Sequence, residues 1–225
     1  MNLGSRILSP DPRGAARGFA AYAADLRLGD IPPDALAQAR RTTLDLVGTT
    51  LGGLSTRSAR IASDLSAAHP LAALGATGAQ DPPAAAATAF ALGVAASALG
   101  YDDGHYLGGA IHPGAVVVPA LLTAAIGRDT GLDDLVVAQV AGYEVGLRLA
   151  HLLLPRREGD RWYCTGTAGA VAAAVAAARL RGGDADTIAR ALEIAWCHAP
   201  MAALQFPMAK EAIGWAAATA TWAGR

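Results

Sequence analysis

Residues 165–180 read TGTAGAVAAAVAAARL. Alanine is the strongest intrinsic helix former, and this run contains no proline to interrupt it. It predicts a helix from about Thr165 to Leu180. The run is short and closes on Arg179 and Arg181, so it does not read as a membrane span. Alanine and glycine at buried helix faces also let helix axes approach closely, towards the short end of the usual ~8–10 Å. The expected core is therefore layered helices with little aromatic filling.

The rest of the chain repeats this character. Its 225 residues are 53% hydrophobic, 16% charged and 5% aromatic. That excludes a disordered chain, which lacks the apolar surface to fold. Lys+Arg number 18 against 19 Asp+Glu, a net charge of -1. Such a balance argues against nucleic acid as a partner, because phosphate neutralisation needs an excess of basic residues. The length fits one domain, residues 1–225. The most apolar segment, Leu135 to Leu154, carries Glu144 and Arg148, which also argues against a membrane partner. The N-terminus shows no signal-peptide pattern. Cys164 and Cys197 are distant and form no CxxC, so a reduced, cytoplasmic protein is the expectation.

Proline and glycine punctuate the helices. Ile31-Pro32-Pro33-Asp34 opens one that Gly52-Gly53 ends. Leu44, Val47, Leu51 and Leu54 fall on one of its faces. Pro82-Pro83 opens a second, up to about Leu99. Gly131-Leu132-Asp133-Asp134 opens a third, its acids placed favourably against the helix dipole. Leu135, Ala138, Ala141, Val145 and Leu149 share its face. Further helices are expected over Asp184 to Ala195 and Met208 to Trp222. Strand signals are nearly absent; Ala115 to Val118 is the best of them. The fold class is all-α.

Two loops break the pattern: GYDDGHYLGGAIHPG at residues 100–114 and PRREGDRWYCTGTAG at residues 155–169. Functional residues concentrate on loops held by a rigid scaffold. The first loop offers Asp102, Asp103, His105, Tyr106 and His112. Carboxylates and imidazoles so close together suit acid/base chemistry near neutral pH. They also suit metal ligation, although the spacing matches no zinc or calcium pattern. Capping by the Asp pair, with solvated histidines, is the plainer alternative. Gly104, Gly108, Gly109 and Gly114 permit unusual backbone angles or close approach of a ligand. His112-Pro113-Gly114 precedes an apolar helix, whose N-terminus attracts anions and disfavours imidazolium.

The second loop leads into Tyr163-Cys164-Thr165-Gly166-Thr167. Thr165 and Thr167 are natural caps for the helix that follows. Cys164 at a helix start is a weak candidate nucleophile. Lys210 is the single lysine of the chain. It sits at a helix start, where the dipole disfavours a cation, so an anionic ligand or a nearby acid such as Glu211 or Glu193 should balance it. Arg148 is a second candidate cation, with Glu144 four residues away as an alternative partner.

Four segments now stand in order: YDDGHYLGGAIHPGAVVVPAL, AGYEVGLR, TGTAGAVAAAVAAARLRG and PMAKEAIGWAA, with LDLVGTTLGG before them. Together they resemble the MmgE/PrpD family, which includes 2-methylcitrate dehydratase and cis-aconitate decarboxylase. The resemblance implies an all-helical domain, a second, smaller α+β domain, and a homodimer. It implies addition or elimination on small di- and tricarboxylates without cofactor or metal. By motif match it implies that His112, Lys210 and Tyr163 are catalytic. It implies that Asp102, Asp103, His105, Thr165, Thr167 and Arg148 shape the substrate site.

The chain departs from the family at Gly100, where many relatives have Asp, and at Gly104, where they often have Thr. At Tyr163 they usually have His. A phenol with a pKa near ~10 is a poor base at neutral pH. The resemblance covers the helical domain only. A split enzyme with a second subunit, a self-sufficient short enzyme and a truncated chain all fit. The expected function is a lyase or isomerase acting on a small carboxylate- or carbonyl-containing metabolite. The alternatives are a non-catalytic partner subunit of such an enzyme and a metal-dependent hydrolase.

Overall fold

The computed structural model describes residues 12–65, 70–75, 81–107, 110–153, 163–201 and 211–225. The described residues form ten α-helices: α1 (Pro12–Asp25), α2 (Pro33–Gly53), α3 (Arg57–Asp64), α4 (Pro70–Leu74), α5 (Pro82–Ala98), α6 (Gly114–Ala125), α7 (Leu132–Leu153), α8 (Cys164–Leu180), α9 (Ala185–His198) and α10 (Glu211–Ala223). A 3-10 turn, Leu28–Asp30, links α1 to α2. No strand occurs among them, and the all-α reading stands. The apolar run Ala115 to Val118 lies inside α6.

The alanine run is the axis of the fold. Every residue of α8 from Cys164 to Ala178 is buried. A helix that is apolar all round has no solvent face to offer and must be enclosed. Helices α6, α7, α9 and α10 enclose it, and α1 touches it.

Small residues set the distances. A Cβ on Gly142 of α7 would lie 2.5 Å from the Ala172 carbonyl oxygen of α8, and one on Gly146 would lie 2.6 Å from the Ala172 Cβ. On the other side of the molecule, Gly93 of α5 packs against Gly214 of α10, with 3.1 Å from its notional Cβ to the Gly214 Cα. Interiors pack at crystal-like density, so backbones this close leave no volume for larger side chains. The described tryptophans go outward: Trp196, Trp215 and Trp222 are 46%, 53% and 52% exposed.

Helix α2 begins and ends where its proline and glycine pair place it, but its buried face differs from the expected one. Leu44 and Leu51 are 75% and 51% exposed. The buried residues are Leu46, Thr49, Thr50 and Gly53. The reason is close packing on α5: a Cβ on Gly53 would stand 1.9 Å from the Ala95 carbonyl oxygen. Thr50 satisfies its hydroxyl within the helix, on the Leu46 carbonyl at 2.6 Å. Polar threonine can therefore be buried there while leucine stays out. On α7 the expected face is nearer the mark. Ala138, Ala141 and Val145 are buried, joined by Gly142, Gly146 and Ala150.

Candidate functional site

The site is assembled where the loop between α5 and α6 meets the starts of α6 and α8. Helix α5 closes through Gly100, whose φ of 70° is left-handed and suits glycine. The chain then runs out and returns through one antiparallel bridge. His105 N–H donates to the Ile111 carbonyl at 2.9 Å, and Ile111 N–H donates to the His105 carbonyl at 3.1 Å. The loop thus comes back as a short hairpin and delivers His112 to the start of α6.

His112 is held on three sides. Its backbone N–H donates to Thr165 Oγ1 at 3.0 Å. Its ring Nδ1 lies 2.7 Å from the backbone carbonyl of Asp103. A carbonyl can only accept, so this bond places a proton on Nδ1 and leaves Nε2 bare in the neutral ring. The Asp102 carboxylate stands 3.7 Å from the same Nδ1, with its side chain only 4% exposed. The Tyr106 ring meets the imidazole edge-on, with centroids 6.0 Å apart.

Asp103 turns the other way. Its Oδ1 accepts the Gly114 N–H at 2.9 Å and its Oδ2 accepts the Tyr143 hydroxyl at 2.8 Å. Gly114 N–H is one of the donors left unpaired at the start of α6, and Pro113 has no side chain to cap it. Asp103 therefore caps α6 from eleven residues upstream. Burial raises its pKa, opposed by the bonds from Tyr143 and Gly114. Glycine is required at 114. A Cβ there would lie 2.4 Å from the Tyr143 hydroxyl and 2.7 Å from Asp103 Oδ1. Tyr143, the residue that sequence reasoning missed, has its own pKa raised, by burial first and then by Asp103. It stays a neutral donor. Its signal in the sequence is a lone phenol in the small-residue stretch AGYEVG, since a buried Tyr hydroxyl needs a partner.

The other candidate residues are placed as follows. Tyr163 is buried beside the start of α8, and burial, with Asp102 and Tyr106 contributing, pushes its pKa up to about 12. It stays protonated at neutral pH and is a hydrogen-bonding group, a weaker acid than a free phenol. Thr165 and Thr167 do not cap α8. Thr165 accepts from His112, and the Thr167 hydroxyl donates to the Pro200 carbonyl at 2.8 Å. His105 lies in the bridge, with its Nδ1 buried and unpaired. Arg148 is not brought to His112. It pairs with Glu144 on its own helix and lies beside Phe19 and Tyr22 of α1. Burial pushes the Cys164 thiol up, which works against thiolate formation there. Lys210 lies outside the described residues.

Two wider features bear on the chemistry. Among the described residues no three His, Cys, Asp or Glu side chains converge as metal ligands would. Asp103 places one carboxylate oxygen on Gly114 and the other on Tyr143, and the Asp102, Asp103, His105 and His112 set does not form such a group among the described residues. A cleft of about 430 Å³ lies elsewhere, bordered by Arg27, Arg128, Asp129 and Arg179. None of the loop residues lines it. No described helix is long and apolar enough to cross a membrane.

No curated protein matches the chain. A family model, described as the MmgE/PrpD N-terminal domain, matches residues 17–225. That range takes in the loop, the His112 junction and all of the central helix α8. It also agrees with an all-helical fold. Dehydratase- and lyase-type chemistry is general in that family. The helical fold, the loop on its scaffold and the match over nearly its whole length together show that this chain belongs to the MmgE/PrpD family.

Proposed function

We propose that this chain carries the acid/base centre of a lyase or isomerase acting on a small carboxylate- or carbonyl-containing metabolite. His112 is the group that moves the proton. One observation carries the reading: Nδ1 of His112 is committed to the Asp103 carbonyl at 2.7 Å, with the Asp102 carboxylate 3.7 Å away. This is the arrangement of a base and its orienter. Nε2 is left to take a proton from carbon α to a carboxylate or carbonyl. The imidazolium that forms is stabilised by the nearly buried charge of Asp102, where low dielectric strengthens the attraction.

Tyr163, protonated up to a pKa of about 12, serves by donating a hydrogen bond to a developing oxyanion. Lys210 is the proposed partner for a substrate carboxylate. The N-termini of α6 and α8 meet at this junction and add a field that favours negative charge. The proposed partner is a second copy of the chain or a second subunit carrying an α+β domain.

The test is solvent exchange. The protein is incubated in D2O with a panel of small hydroxy- and unsaturated di- and tricarboxylates, and loss of C–H signal is followed by proton NMR. The expected result is deuterium wash-in at a carbon next to a carboxylate in at least one compound. His112→Ala should slow it by about 10²- to 10⁴-fold, the usual contribution of a positioned acid/base group. Wash-in at an undiminished rate in that variant would remove His112 from the mechanism.

A further inference from the structure

Three bonds meet at one residue. The Asp103 carboxylate takes the Tyr143 hydroxyl on one oxygen and the Gly114 N–H on the other, at 2.8 and 2.9 Å. The Asp103 carbonyl takes the His112 ring at 2.7 Å. Only Tyr143 comes from outside the loop and the start of α6, for it stands on α7. Helix α7 is itself fixed by the close approach of Gly142 and Gly146 to the backbone and side chains of α8. The Tyr143 hydroxyl is therefore the link through which α7 reaches Asp103, beside the Thr165 bond from α8 to the His112 N–H.

We propose that Tyr143 is a positioning residue of this site: by anchoring Asp103 it keeps the Asp103 carbonyl on Nδ1 of His112 and so keeps Nε2 bare. The proposal rests on the reading of His112 as the acid/base group, but its consequence is visible in the resting protein. An unanchored Asp103 carboxylate is free to rotate away from Gly114. The start of α6 then loses its cap, the 103–112 contact loosens, and the imidazole divides between two tautomers. Among the described residues, Asp102, Asp103 and Tyr106 from the loop and Thr165 from the start of α8 stand against His112. Asp103 is the one among them that also grips α6 and α7.

The experiment is nitrogen NMR of protein labelled in histidine, without substrate, at a pH of about 8. The native protein should show His112 with a protonated Nδ1 and a bare Nε2. Tyr143→Phe should shift the ratio of the two tautomers by at least about fivefold towards the Nε2–H form. Tyr22→Phe, on the α1 side of α7, should leave it unchanged. An unchanged ratio in Tyr143→Phe overturns the proposal, and so does an equal shift in Tyr22→Phe. The native protein supplies a second reading that needs no variant to fold. The Tyr143 hydroxyl proton should exchange slowly and show a cross-peak to the Gly114 N–H; a fast-exchanging hydroxyl overturns the proposal. Failure of the functional reading would appear separately, as undiminished wash-in in His112→Ala.

Discussion

Gly142 and Tyr143 are neighbours in sequence, and they face two regions built on opposite terms. Gly142 looks into the core, where the notional Cβ meets the Ala172 carbonyl at 2.5 Å. Its use is the absence of a side chain. Tyr143, about 100° further round the helix, looks into the loop and is used for its hydroxyl. The core face is specified by volume, the loop face by hydrogen-bonding partners. The two meet at Gly114, which makes room in the core's manner but for polar atoms, the Tyr143 hydroxyl and Asp103 Oδ1. One helix thus carries the rigidity of the alanine core to the site.

Substitutions on α7 and its partners can break this contrast. Gly142→Val should have the largest effect. Its Cβ would run into the backbone of α8, and overpacking that cannot relax costs about 3 kcal/mol or more. Urea denaturation should show that loss, and the folded fraction should also show a disturbed His112 environment, because α7 carries Tyr143. Asp103→Asn sharpens the other side. Burial raises the Asp103 pKa in the folded protein. Its charged form is thus disfavoured there, and its contribution is best below the unfolded value of ~3.9 and lost as pH rises through the folded pKa. Urea titrations from about pH 4 upward should show the native protein losing ground to Asp103→Asn over that window. Arg148→Met should do least. Its pair with Glu144 is 36% and 37% exposed, so the change should stay within about 0.5 kcal/mol and leave wash-in unaffected.

The same contrast explains what was legible in the sequence. Helix limits were, because proline and glycine act on the backbone alone: α2 opens at Pro33 and closes at Gly53, and α5 opens at Pro82. The buried face of α2 was not. Periodicity weighs large apolar residues, and this core is packed by small ones, so Leu44 is outside and Thr49 inside. In the site, His112 and the Asp pair stood out against a bland chain. Thr165 and Thr167 suggested local capping, but both bond across the fold, to His112 and Pro200. Contacts between residues 53 and 33 positions apart leave no local trace. Arg148 was read as a possible site cation, and its i,i+4 partner Glu144 holds it instead. Tyr143 was hidden in a regular helix, where only its need for a buried partner marked it.

The account stands on His112 as the proton-moving group, and chemical rescue tests that most directly. His112→Ala removes the ring and keeps the backbone N–H that Thr165 holds. With the carboxylate that shows wash-in for the native protein, the variant should be folded and inactive. Added imidazole should then restore exchange in proportion to its concentration, because the cavity left by the ring lies beside Asp102. A folded His112→Ala protein that exchanges at the native rate without imidazole would contradict the account.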